Sequence, residues 1–155
     1  MHGLLFALRR NTAPLVLATV LIAGFHQSAS AQKSAADKPF AVEYYYKARW
    51  GFLTEFIQLY KKNHYPILKK QMEEGRILQV IAAAPRYHAT EEERWDFRVT
   101  IVWKNATVAN DNYDSEPIIK QLFPDRQTFD KEEQHRFEIL LAHWDVPIVD
   151  QDLTK

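Results

Sequence analysis

The chain has 155 residues, with 20 basic and 20 acidic side chains that leave no net charge when histidine is neutral. Hydrophobic residues make up 46% and aromatic residues 13% of it, which is typical of a single folded domain and not of a disordered chain. The absence of cysteine excludes a disulfide framework, a thiolate zinc site and a cysteine nucleophile. Because the charge is balanced, the chain lacks the basic footprint of a nucleic-acid binder, and we expect no such partner.

The first 31 residues have the pattern of a secretory signal peptide. They contain no acidic residue, and an apolar run extends from Ala13 to Phe25. This run is shorter than the about 20 residues that a helix needs to span a bilayer. Ala29 and Ala31 form the A-x-A pattern at which signal peptidase cleaves. We therefore predict export to the periplasm or the extracellular space, with no membrane span after cleavage; an uncleaved anchor is the alternative.

Residues 32–39 follow as a small polar linker, and residues 40–155 are predicted to form one domain. Its first strand is predicted over Phe40 to Ala48, a segment rich in β-forming residues. Successive side chains of a strand point to opposite faces. The two predicted faces are Val42, Tyr44 and Tyr46, and Glu43, Tyr45 and Lys47.

A helical pattern begins at Gly51. Its apolar side chains recur three and four residues apart, at Leu53, Phe56, Ile57 and Tyr60. Pro66 lacks an N–H group and clashes with the preceding turn, so we expect the helix to kink or restart there. Gly75 suits the end of this helix, because glycine adopts the left-handed conformation of a C-terminal cap.

Two further strands are predicted over Arg76–Ala84 and Trp95–Trp103, joined by a charged loop. The second of them alternates most clearly, which predicts a strongly fixed register. Its two faces are Trp95, Phe97, Val99, Ile101 and Trp103, and Asp96, Arg98, Thr100 and Val102. We expect the apolar set, both tryptophans included, to pack under the helices.

Two helices and a strand complete the domain. The first helix is predicted to start at Ser115 and to run through Leu122. Asp130 with Glu133 resembles a capping box for the second helix. The helical spacing of this second helix extends over Phe137, Leu140, Leu141 and Trp144. Pro147 argues against helix, and His143–Val149 is therefore predicted as a terminal edge strand.

The resulting order β-α-β-β-α-α-β predicts an α+β fold: a ferredoxin-like, antiparallel four-stranded sheet with its helices on one face. Over about residues 40–150 the chain resembles the dimeric α+β barrel superfamily, on this element order and on a helix that runs straight into the last strand. The segment His64-x-Pro66 is similar to that of the EthD-like and NIPSNAP-like branches. The resemblance implies a homodimer whose two sheets enclose a lumen. A cone-shaped NTF2-like domain is the alternative, but such domains begin with a helix.

The ferredoxin-like strand order 4-1-3-2 places polar side chains from three strands in one half-covered pocket. They are Glu43, Tyr45, Asp96, Arg98, His143 and Asp145. A carboxylate beside an arginine stays ionised, whereas one crowded by a second carboxylate keeps its proton to higher pH, and such shifts suit a general base. The alternative is an ion pair of Arg98 with a carboxylate that only fixes the register of the dimer.

His64 is the residue that the resemblance highlights, because a histidine late in the first helix of related barrels faces the lumen and helps to bind or protonate a ligand. The alternative is a histidine that caps helix carbonyls before Pro66. His88 lies on the loop between the second and third strands. Loops carry function more often than cores do, so His88 is a second ligand-binding candidate, with a solvated loop histidine as the alternative.

A metal site would need His143 and Asp145, which point to one strand face, and His64 as a third ligand. The sequence lacks a closely spaced histidine pair, so we expect no metal. A haem would need His64 or His143 as its axial ligand, and no other feature supports one. We expect no cofactor.

The resemblance implies a small organic ligand in the lumen, and two functions follow from it. The first is cofactor-independent chemistry of the oxygenase or isomerase kind, with His64 as acid or base, Arg98 as anchor, and His143 with Asp145 in support. The second is a non-catalytic binding or interaction module of the same fold.

Overall fold

Four strands and five helices, one of them continued by a π-helical turn, make up the part of the chain described by the computed structural model, residues 38–154. The predicted signal peptide and most of the predicted linker lie outside these described residues. The elements are β1 (Phe40–Ala48), α1 (Leu53–Leu59), the π-helical turn (Tyr60–His64), α2 (Tyr65–Glu73), β2 (Ile77–Ala83), β3 (Phe97–Trp103), α3 (Ala106–Ala109), α4 (Glu116–Leu122), α5 (Arg126–Glu138) and β4 (Leu140–Ile148). None of the helices among residues 38–154 is long and apolar enough to cross a membrane.

The strands form one antiparallel sheet in the order β2-β3-β1-β4, which confirms the predicted ferredoxin-like arrangement. All the helices that cover the sheet pack on one side, which we call the covered face. Its central side chains are Tyr46, Phe97, Val99 and Ile101, all buried in one core with Phe56 of α1. Burial of this apolar set is the main driving force for the fold. The opposite side, called the open face, carries Glu43, Tyr45, Arg98, Thr100, Trp144 and Val146.

The helix after β1 changes its winding before Pro66, as predicted. The backbone N–H of Tyr65 donates to the carbonyl of Tyr60, five residues back, and this closes the π-helical turn. Pro66 then stands in the first turn of α2, directly after the π-helical turn, so the change of winding falls next to the residue that lacks an N–H. Gly75 ends α2 with φ of 71°, and the N–H of Arg76 reaches back to the carbonyl of Gln71 at 3.0 Å. Both are features of a glycine C-cap.

The C-terminal elements differ from the prediction at two boundaries. Ser115 precedes α4 as predicted, but α5 is capped by Asp125, whose carboxylate accepts from the N–H of Thr128 at 3.1 Å. Asp130 lies within α5 and pairs with Arg126, so the predicted capping box at Asp130 is wrong. The last strand begins at Leu140 and not at His143. It pairs with β1 only and is an edge strand, as Pro147 indicates.

Trp95 is not part of the helix-side core. It precedes β3, and its ring packs edge-to-face on Tyr45 with centroids 5.5 Å apart. Since Tyr45 belongs to the open face, the prediction that placed Trp95 under the helices is wrong. The alternation of β3 holds only from Phe97 onward, because the chain before it still belongs to the loop.

Candidate functional site

The sheet divides the six residues that were predicted to share one pocket. His143 pairs with Tyr46 across β1 and β4, and the two rings stack with centroids 4.4 Å apart and an angle of 7°. His143 and, two residues on, Asp145 therefore lie on the covered face. Glu43 and Arg98 lie on the open face. The predicted single pocket is wrong, because the parity of β4 is opposite to the one assumed.

On the open face, Glu43 is the centre of a polar network. Its carboxylate accepts from the Tyr45 hydroxyl at 2.5 Å and from the Thr100 hydroxyl at 3.4 Å, and the Arg98 guanidinium lies 3.0 Å away. Donation to this carboxylate raises the pKa of Tyr45. The Tyr45 ring also stacks on Trp144 at 5.4 Å. Glu43, Tyr45 and Arg98 thus form an ion-pair network within one chain. The alternative role of Arg98, which is to fix the register of the dimer, stays a prediction.

Asp96 belongs to neither group. Its carboxylate accepts from the N–H of Ala48 at 2.8 Å and from the guanidinium of Arg94. Together with His88 it lines a hollow of 210 Å³ under the β2–β3 loop, which we call the loop hollow. The two predicted ligand-binding residues His88 and Asp96 therefore share a site, but one that is separate from Glu43 and Tyr45.

His64 and His143 come together on the covered face. His143 Nδ1 donates to the carbonyl of Tyr45 at 3.0 Å, and its Nε2 lies 3.2 Å from Asp145. His64 packs its ring 4.9 Å from that of Tyr60. Burial, and after it the charge of Arg136, lowers the pKa of His64 to about 4, so its imidazole is neutral at pH 7. Within residues 38–154 no group of three metal-binding side chains is placed to hold an ion.

A cavity of 450 Å³ opens between the π-helical turn and the strands β2 and β3; we call it the helix cavity. Its wall is largely apolar and includes Ile57, Val80, Phe97 and Val99. Tyr60 also lines it. The Tyr60 hydroxyl is buried and interacts with Tyr46, which does not line the cavity, and burial raises the pKa of Tyr60.

The sequence reasoning missed the helix cavity, although two signals for it were present. The run Ala82-Ala83-Ala84 places small side chains at the end of β2, which leaves room beside the longer side chains of α1. The π-helical turn brings Tyr60, Lys61 and Tyr65 to the wall and mouth of this space. π-Helical turns are frequent at functional sites. His64 lies on the same turn but does not line the cavity.

The comparisons with known proteins give matches among solved structures only. No family profile and no curated protein match the chain. A dimeric ferredoxin-like protein from an uncultured marine organism is 8% identical, with a TM-score of 0.47 over 78% of this chain and 96% of that one. An uncharacterized NIPSNAP domain protein from Burkholderia xenovorans is 12% identical, with a TM-score of 0.41 over 74% and 96%. A proposed antibiotic biosynthesis monooxygenase from Bacteroides thetaiotaomicron is 10% identical, with a TM-score of 0.44 over 74% and 91%.

Proposed function

We propose that this chain is an exported homodimeric protein that binds a small, largely apolar organic molecule in the helix cavity. The observation that carries the proposal is the apolar cavity of 450 Å³ between the π-helical turn and the sheet, with Lys61 and Tyr65 among its lining residues. Ligand pockets are typically about 300–1,000 Å³, mostly apolar, with a few placed polar groups. The helix cavity has this size and this composition.

The lining of the helix cavity indicates the chemistry of the ligand. Ile57, Phe97 and Val99 offer only apolar contact, and the polar groups of Lys61 and Tyr65 belong to the mouth. The expected ligand is therefore an aromatic or lipid-like molecule that carries one carbonyl or hydroxyl oxygen at the mouth.

Filling the cavity tests this proposal directly. Ala82 lines the cavity and is exposed, so Ala82→Trp places an indole in the space without disturbing the core. We expect the affinity for the apolar probe N-phenyl-1-naphthylamine to fall at least about tenfold, because the probe and the indole compete for one volume. Ala89→Trp, on the exposed β2–β3 loop, is the control and should bind the probe like the natural chain. Equal binding by the natural chain and Ala82→Trp would contradict the proposal.

Tyr65→Phe separates the polar contact from the apolar ones. Mass spectrometry of the protein under native conditions identifies the molecule that co-purifies with it. The affinity for this molecule should fall about fivefold in Tyr65→Phe, for one lost hydrogen bond of about 1 kcal/mol. Tyr60→Phe removes a buried hydroxyl that interacts with Tyr46 and should change the affinity less. An unchanged affinity in Tyr65→Phe would assign its hydroxyl no role in binding.

Proton-transfer chemistry is the second candidate function, and the neutral imidazole of His64 beside Tyr60, which lines the cavity, favours it. A neutral imidazole accepts a proton, as a general base must. His64 itself does not line the cavity, so this candidate requires the substrate to reach His64 past Tyr60. Arg98 lies on the open face and takes no part in it, whereas His143 and Asp145 lie on the covered face.

His64→Ala should then abolish turnover of the co-purified molecule while its binding persists. Turnover that survives in His64→Ala would exclude His64 as the base. A natural chain that binds the molecule without turnover would be the non-catalytic binding module.

The open face supports the homodimer. It exposes Ile81, Trp144 and Val146 around the ion pair of Glu43 and Arg98. Such an apolar sheet face is normally covered, and a second copy covers it with a twofold axis. Val146→Lys should convert the dimer to a monomer in sedimentation velocity. Leu141→Lys, on the same strand with the opposite parity, is the control and should remain dimeric; a natural chain that sediments as a monomer would refute this part.

Export is proposed from the signal-peptide pattern of the first 31 residues. Expression of the full chain in a bacterial host, followed by N-terminal sequencing of the periplasmic and secreted fractions, tests it. The exported protein should begin near Gln32. Recovery of the chain only in the cytoplasmic fraction, with residue 1 intact, would contradict export and cleavage together.

A further inference from the structure

The loop hollow is a second concave site, separate from the helix cavity. It has a volume of 210 Å³ and lies between the end of β1 and the β2–β3 loop. The two sites have no lining residue in common. The helix cavity is mostly apolar, whereas the loop hollow combines aromatic rings with charged side chains. A different kind of ligand is therefore expected in it.

Two aromatic rings stand exposed at the rim of the loop hollow. Trp50 is 74% exposed and Tyr87 is 79% exposed, although both rings line the hollow. Large rings this exposed usually belong to a binding surface, because they gain most by being covered. Tyr87 lies on the β2–β3 loop, and Trp50 lies in the turn after β1.

The ring of Trp50 is also held by a contact with Arg94. The Arg94 guanidinium lies 4.3 Å from the centroid of its ring. The side chain of Arg94 is almost wholly buried, and it donates to the Glu91 carboxylate at 2.7 and 3.1 Å, to the Ala48 carbonyl at 3.1 Å, and to Asp96. Because Arg94 has five fixed donors, it supports the ring in one orientation. A preformed aromatic platform loses little entropy when a ligand covers it.

The polar lining of the loop hollow is balanced in charge. Its arginines, Arg86 and Arg94, are matched by two acidic residues, Glu93 and Asp96, and His88 completes the set. Such a lining offers both donors and acceptors but no net charge. It suits an uncharged ligand that carries several hydroxyl groups, since each hydroxyl donates one hydrogen bond and accepts others.

We propose that the loop hollow binds one pyranose ring of a neutral saccharide. The C–H face of the sugar ring would lie on Trp50 and Tyr87, because the faces of aromatic rings are electron-rich and attract weakly positive C–H groups. The sugar hydroxyls would bond to Glu93 and His88 at the rim. A proline-rich segment also stacks on exposed aromatic rings, but it needs an extended groove. The hollow has the volume of a single ring.

Binding of four methyl pyranosides to the full chain tests the proposal: those of glucose, galactose, mannose and N-acetylglucosamine. Saturation-transfer NMR should detect at least one of them at millimolar concentration. Its affinity should fall at least about tenfold, or 1.4 kcal/mol, in Trp50→Ala and in Tyr87→Ala. Tyr87→Ala is the safer variant, because its exposed side chain takes no part in the core.

Tyr65→Ala is the matched control. It removes a half-exposed tyrosine from the mouth of the helix cavity and should leave sugar binding unchanged. Failure of all four sugars to bind at millimolar concentration would overturn the proposal. So would binding of a proline decapeptide that is lost in Tyr87→Ala, since that would assign the rings to a peptide. If Tyr65→Ala weakened sugar binding and Tyr87→Ala did not, the saccharide would lie in the helix cavity, and the proposal would be overturned.

Discussion

The two faces of β1 show how one strand serves two different environments. On the covered face, Tyr46 packs among Phe56, Tyr60 and Phe97, and burial raises its pKa. Tyr45, the preceding residue of β1, lies on the open face. Its hydroxyl donates to the Glu43 carboxylate, and its ring stacks on that of Trp144, which remains partly exposed. The adjacent residues Tyr45 and Tyr46 thus belong to a partly exposed ion-pair network and to a packed apolar core.

This difference shows that the sheet separates two environments and does not line a single site. Side chains that are near neighbours along β1 or β4 are separated by the full thickness of the sheet when their positions differ by an odd number. His143 therefore belongs with His64, and Trp144 belongs with Tyr45. Mutations on the covered face should act on folding, and those on the open face on association.

Truncation of a core side chain should have the largest effect on the free energy of unfolding. Phe56 is fully buried on the covered face, and Phe56→Ala should lower the free energy of unfolding by about 3–5 kcal/mol, through lost burial and the cavity left behind. Chemical denaturation measures this at fixed protein concentration. On the open face, Trp144→Ala should cost less and should reduce the dependence of the unfolding midpoint on protein concentration, because it weakens the dimer. Equal costs in the two variants, with the same concentration dependence as the natural chain, would remove the contrast between the faces.

The pH dependence of stability should show an intermediate effect. The pKa of His64 lies at about 4 in the fold, below the ordinary value of 6.5, so between these values the unfolded chain binds the extra proton. The free energy of unfolding should therefore fall as the pH drops from 6.5 to 4. With a side chain about one third exposed, solvent screening reduces the expected loss to about 1–2 kcal/mol. Denaturation of the natural chain and of His64→Gln across this window measures it.

His135 supplies a control of opposite sign. Its hydrogen bond to Glu55 raises its pKa, so its contribution to stability is present below the ordinary histidine pKa and is lost as the pH rises through the folded value. His64→Gln should flatten the acid limb of the stability profile, and His135→Gln should not. The same loss of stability below pH 6.5 in His64→Gln would show that His64 is not its source.

Neutralising the ion pair on the open face should have the smallest effect. Glu43→Gln keeps the size of the side chain and weakens the contact with Arg98, in which both partners are partly exposed. The expected loss in the monomer is about 0.5–1 kcal/mol, and added salt should reduce the difference. Denaturation at low and high salt measures it. A salt-independent loss above about 2 kcal/mol would contradict this expectation and would mean that the ion pair of Glu43 and Arg98 is buried.

Much of this architecture is predictable from the sequence, because β1 and β3 alternate strongly and one face of each is buried. The parity of β4 is not predictable, because its residues from Leu141 to Pro147 are exposed on both faces and the alternation carries no signal of burial. A register irregularity between Lys47 and Ala48 also enters the pairing of β4 with β1. The start of β4 was missed because Leu140 and Leu141 continue the helical spacing of α5.

The candidate site, like the fold, was predictable from the sequence only in part. His64 and its neighbour Pro66 mark a change of winding that the proline predicts, but the helix cavity depends on how far the π-helical turn lies from β2, a distance that no local pattern encodes. His88 and Asp96 were placed among ligand-binding residues without the two exposed rings beside them. Trp50 and Tyr87 lie far apart in the sequence and meet only in the fold.

The four tryptophans have one practical consequence. Trp50 stands at the loop hollow, Trp144 lies on the open face, Trp103 lies against the core, and Trp95 lies in the loop before β3. Variants that keep only one indole at a time would give the protein separate fluorescent reporters. Emission from Trp50, Trp144 and Trp103 would then follow sugar contact, subunit association and unfolding as three distinguishable optical signals.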